Sequence, residues 1–187
     1  MRGLCGLAVA TAILAFAPAA TRSQVMDPFN DQGIIGMAKA GNYLAVEARL
    51  NAGDSPNTLG GNGATPLILV SQSGHCDVAR LLLSWHARTD IKDSMGNTAL
   101  MYAAEFGHVA CLEDLIAAHA DVNATSREGS TALMRAARSG KLDAVRALIG
   151  AKADVSMTDF TGATALSYAQ AARQRQIVQL LEAAGAR

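Results

Sequence analysis

The sequence predicts an all-α solenoid of about five stacked helix-turn-helix units with short loop fingers, preceded by an export signal. Three observations point there. A 33-residue repeat runs through most of the chain, and each copy carries helical periodicity. Apolar residues make up 50% of the 187 residues but aromatics only 4%, so alanine and leucine must build the core. That composition suits closely packed helices better than a sheet sandwich.

In chain order, the first element is the N-terminal leader. Met1-Arg2 supplies one positive charge, and residues 3 to 21 contain no charged side chain. Leu4 to Phe16 is apolar with interspersed Gly and Ala, and Ala17-Pro18-Ala19-Ala20 follows. A basic start, a short apolar core and small residues make up a secretory signal, here residues 1 to 23, with cleavage after Ala19, Ala20 or Ser23. The alternative is a retained anchor over residues 4 to 20, close to the roughly 20 residues that span a bilayer. Cys5 lies at the start of the apolar stretch rather than after it, which argues against a lipid attachment site. Residues 24 to 32 read as a short linker, and 33 to 187 as the repeat domain.

The repeat register rests on several independent columns. Gly63, Gly96, Gly129 and Gly162 each open a Gly-x-Thr-x-Leu element, with Thr65-Pro66-Leu67 and Thr98-Ala99-Leu100 as examples. The same spacing joins Gly74, Gly107 and Gly140, then Leu82, Leu115, Leu148 and Leu181, then Ala87, Ala120, Ala153 and Ala186. A weaker first copy sets Ile34 on Leu67, Gly41 on Gly74 and Leu50 on Leu83. The units fall at about 26–57, 58–90, 91–123, 124–156 and 157–187. In the last, Arg173 replaces the mid-repeat glycine, and Arg175, Gln176, Gln179 and Glu182 give the polar outer face an open-ended stack needs.

Within a unit, Thr98 caps the first helix, Leu100, Ala103 and Ala104 form its apolar face, and Gly107 ends it. A second helix from about Val109 to Ala118 turns Leu112, Leu115 and Ile116 inward. One such pair cannot bury its apolar face alone, so stacking is what stabilises it.

A 33-residue period in which Thr-Pro-Leu or Thr-Ala-Leu opens a short helix resembles the ankyrin repeat, over about residues 26 to 187. Ala118-His119-Ala120-Asp121-Val122-Asn123 is similar to that family's end-of-repeat signature. The histidine that commonly follows Thr-Pro-Leu is replaced by Ile68, Met101, Met134 and Ser167. The resemblance implies a non-enzymatic module that binds a protein partner through loop tips and the exposed side of the first helices. By register the contact residues are Met95, Asn97, Arg127, Glu128 and Phe160 on the tips. On the helices they are Tyr102, Glu105, Phe106, Arg135, Arg138 and Tyr168. This mixture of aromatics, Met and Arg is what binding hot spots favour. Substituting Tyr102 or Arg135 is expected to weaken the partner and leave stability nearly unchanged.

Other chemistry finds little support. Basic and acidic residues each number 16, so charge favours neither nucleic acid nor an anionic membrane as partner. There is no nucleophile elbow, His-Glu-x-x-His or phosphate loop, and no catalytic or cofactor-binding residue is assigned. Gly60-Gly61-Asn62-Gly63 reads as a turn between repeats. The histidines pair at the repeat spacing, His75 with His108 and His86 with His119, and each pair supplies two ligands where zinc needs three or four. His86 and His119 fit a helix end with positive φ, and no metal ligand is assigned.

Cys76 and Cys111 could pair in an oxidising compartment. The register, however, sets Cys76 opposite Val109, two positions and about 200° from Cys111, so two separate buried thiols are expected. The reading is therefore a monomeric periplasmic or secreted adaptor for another protein, with no nucleic acid and no membrane once the signal is removed. The alternatives are a metal- or redox-responsive protein using His75, Cys76, His108 and Cys111, and a membrane-tethered scaffold.

Overall fold

A computed structural model describes residues 33–186. The signal, the anchor alternative and the linker lie outside the described residues. Among the described residues, ten helices form five pairs: α1 Ile34–Lys39 with α2 Tyr43–Asn51, α3 Pro66–Ser73 with α4 Cys76–Ser84, α5 Ala99–Phe106 with α6 Val109–Ala117, α7 Ala132–Arg138 with α8 Leu142–Gly150, and α9 Ala165–Ala171 with α10 Arg175–Ala183. Among the described residues the only extended pairing is one isolated bridge, Thr158 with Thr164.

The helices begin and end where the side chains dictate. The Thr65, Thr98, Thr131 and Thr164 hydroxyls each accept a hydrogen bond from the N–H three residues on, capping α3, α5, α7 and α9. Pro66 occupies the first turn of α3, where its missing N–H costs nothing. The positions that lack the family histidine hold Met101 and Met134, both fully buried. The Met134 sulfur accepts from the Thr131 N–H at 3.4 Å.

Each first helix packs on the next, α1 on α3 on α5 on α7 on α9, and the second helices form a parallel outer row. The first helices have 6 to 8 residues and the second helices 9. Alanines at 38, 104 and 137, with Ser71 in the same column, are wholly buried and let the shorter row close up. The resemblance to the ankyrin repeat identifies this side of the stack as the concave one. Leu67, Leu100 and Leu133 fill the space between the rows with Leu82, Leu115, Leu148 and Leu181.

The mid-repeat turn shows why its glycine is required. Gly74 adopts φ +81°, and a Cβ there would lie 2.7 Å from the His108 ring of the next repeat. The same approach brings His75 onto Gly41, Lys141 onto Gly107 and Gln174 onto Gly140. His75 and His108 are thus packing residues reaching back over the preceding unit. His86 and His119 take φ of 58° and 60° after the second helices, as the register expected.

The cysteines depart from expectation. Cys76 and Cys111 form a disulfide, with Cα atoms 4.8 Å apart. With two repeats superposed, the side chains at these two positions point apart. Adjacent second helices stand side by side, however, so a residue pointing forward from α4 and one pointing backward from α6 meet across the interface. Opposite directions in the repeat frame are the condition for a bridge between neighbours.

Candidate functional site

The loop fingers are built on one hairpin closure used four times. The N–H groups of Gly60, Asp93, Ser126 and Asp159 donate to the carbonyls of Ala64, Asn97, Ser130 and Ala163 at 2.9 to 3.0 Å. Successive fingers are then tied together. Ser94 N–H donates to the Asn62 carbonyl, Arg127 to Met95 and Phe160 to Glu128, at 2.9 to 3.1 Å. The tips are therefore fixed relative to one another by backbone bonds.

Two aspartates connect the fingers to the first helices. Asp93 accepts from the N–H groups of Met95 and Asn97 and, at 2.7 Å, from the Tyr102 hydroxyl. Asp159 repeats the arrangement with the N–H groups of Thr161 and Ala163, the Thr161 hydroxyl and the Tyr168 hydroxyl. The Thr161 hydroxyl first, then Tyr168, hold the Asp159 carboxyl down at about 2. Burial, followed by the bond to Asp93, raises the Tyr102 hydroxyl above its ordinary value, and the bond to Asp159 does the same to Tyr168. Both tyrosines therefore stay neutral donors at physiological pH. Sequence reasoning missed Asp93 and Asp159, although each precedes its tyrosine by nine residues.

Arg135 occupies the same register position between these two tyrosines. Its Nη1 donates to Glu105 at 2.6 Å and its Nη2 to the Asn97 side-chain oxygen at 2.6 Å. Asn97 in turn donates to the Tyr102 oxygen. Arg138 reaches Glu105 at 3.5 Å and lies 5.9 Å from the Tyr168 ring centroid, within cation–π range. Tyr102 stacks on Phe106 at 6.5 Å, and Phe106 on the His108 ring at 6.1 Å. A continuous strip from Phe106 to Tyr168 thus crosses the first helices of three repeats.

Of the residues assigned from sequence, Met95, Phe106, Arg127, Glu128, Arg138 and Phe160 are exposed, while Tyr102, Glu105 and Tyr168 are half-buried. Phe160 is the most open at 82%. Asn97 and Arg135 are buried, at 1% and 7%, so they brace the strip from beneath and present little surface. No described aromatic residue is buried in the core, and four of the six lie on the strip or the finger tips.

Among the described residues, no group of three or more His, Cys, Asp or Glu side chains is placed to hold a metal ion. His75, Cys76, His108 and Cys111 do not converge as a ligand set. No described helix is long and apolar enough to cross a membrane.

No match was found among curated proteins. A family model for ankyrin repeats (3 copies) matches residues 34–126 and 111–187. Ankyrin repeats are in general protein–protein interaction modules. With the stacked helix pairs and ladder of fingers described above, this match places the chain in the ankyrin-repeat family.

Proposed function

We propose that this chain is an exported adaptor that recognises another protein along the concave strip and the finger tips. The observation that carries the reading is where the aromatics sit. Burying one large ring in a core adds more stabilisation than almost any other side chain. This fold nevertheless fills its core with Ala, Leu, Val, Ile and Met and leaves Phe106, Phe160, Tyr102 and Tyr168 on one side. Bonds to Asp93, Asp159 and Glu105 hold that side in place, so little side-chain entropy remains to be lost when a partner docks.

The Cys76–Cys111 bond supports an oxidising compartment, since disulfides persist in secreted and periplasmic proteins and are rare in the cytosol. Together with the N-terminal signal, it favours a periplasmic or secreted location. The strip carries no activated nucleophile and no general base matched to one, so the reading assigns it binding rather than catalysis.

Exposed strip residues provide the test. Phe106→Ala, Arg138→Ala and Phe160→Ala should each reduce capture of the partner from the envelope fraction while the helical signal stays intact. Arg80→Ala and Glu113→Ala on the outer row should leave capture unchanged. Equal loss from both sets would place the contact elsewhere.

A further inference from the structure

We propose that Cys76 and Cys111 form a reversible thiol–disulfide exchange site, with Cys76 as the reacting sulfur and Cys111 as the resolving thiol. The co-substrate is a dithiol/disulfide carrier. The proposal goes beyond partner binding and does not depend on which face binds.

Three features of the pair support it. First, the two cysteines differ in exposure, because Cys111 is wholly buried while Cys76, the first residue of α4, is part-exposed. Second, the fold does not depend on the bond. The register position of Cys111 holds the buried aliphatics Val78, Ala144 and Ile177 in other repeats. That of Cys76 holds Val109 and Leu142. The other second-helix contacts, α2 with α4, α6 with α8 and α8 with α10, form without a cross-link. A reduced Cys111 simply packs as a small apolar residue. Third, the repeats contain no other cysteine, the remaining one being Cys5 ahead of them in the sequence, so no mispairing competes within the repeats.

Exchange is written with both electrons followed. The Cys76 thiolate attacks one sulfur of the carrier disulfide, whose S–S bond breaks, and the released carrier thiolate takes a proton. Cys111 then loses its proton and attacks the Cys76 sulfur of the mixed disulfide, expelling the second carrier thiolate. The carrier is reduced by two electrons and the protein dithiol is oxidised. The reverse sequence, again at Cys76, opens the link between α4 and α6 beside His108, whose ring supports Phe106.

The test uses the full exported chain and Ellman's reagent as the carrier disulfide. In native buffer, Cys76 of a Cys111→Ala variant should form the mixed disulfide roughly tenfold or more faster than Cys111 of a Cys76→Ala variant. The reduced parent should release two equivalents of thiolate without accumulating the mixed species, and its helical circular dichroism should match the oxidised form at 25 °C. Equal reactivity of the two cysteines would overturn the assignment of Cys76. Loss of helical signal on reduction would overturn reversibility.

Discussion

Replacing Arg135 with methionine keeps the aliphatic stem and removes the guanidinium that joins two repeats. Its side chain is 9% exposed and that of its partner Glu105 is 24% exposed. Two losses dominate. The Asn97 side-chain oxygen, buried with its residue at 1% exposure, is left without its donor, which costs about 1–3 kcal/mol. Glu105 loses its close pair, but it keeps Arg138 and some solvent, so that loss is nearer ~1 kcal/mol. One gain offsets them, because the Arg135 Nε is buried with no hydrogen-bond partner and disappears with the substitution. The net is a destabilisation of about 1–3 kcal/mol, or roughly 3–10 °C in Tm for a domain of this size. Arg138→Met, at a half-exposed site, should stay within about 0.5 kcal/mol of the parent. Thermal melts by circular dichroism read both. If Arg135→Met melted within about 2 °C of the parent, the buried network would not be bracing the strip as described.

Ser71→Ala should raise Tm by a few degrees, since the Ser71 hydroxyl is buried without a partner in a column otherwise filled by Ala38, Ala104 and Ala137; an unchanged or lower Tm would contradict this. The Asp159 carboxyl is lowered in the fold from 3.8 to about 2, so its stabilisation is complete above pH ~4 and is lost as pH falls through about 2. Melts across that range should show the loss in the parent and a flatter profile in Asp159→Asn. Reducing the disulfide reopens a loop of 35-residue separation, which the chain-entropy account values at about 4 kcal/mol. A melt in dithiothreitol should therefore fall by roughly 10 °C or more.

The stack was legible in sequence because its determinants repeat. Thr98 recurs as a cap in four units, and Gly74, Gly107 and Gly140 recur wherever the next repeat presses onto the turn. The outward placement of Met95, Phe106 and Phe160 could also be read, since their register columns are exposed in each described repeat. What could not be read were interactions between different positions of neighbouring repeats. Arg135 bonds Asn97 from 38 residues away and Glu105 from 30, neither equal to the period. A register that lays repeats on top of one another shows like beside like, so it made Arg135 and Asn97 surface residues and held Cys76 and Cys111 apart. Substitution of Arg135 is consequently a test of stability here, not the clean test of binding expected from sequence.

The central claim, that the concave strip is where the partner sits, is tested most directly by site-specific photo-crosslinking in the intact cell. A photoreactive phenylalanine analogue is placed at Phe106, at Phe160 or, on the outer row, at Glu113. The account predicts one discrete cross-linked protein from the two strip positions and none from Glu113. Cross-links to the same protein from Glu113 alone, or equally from all three sites, would contradict it.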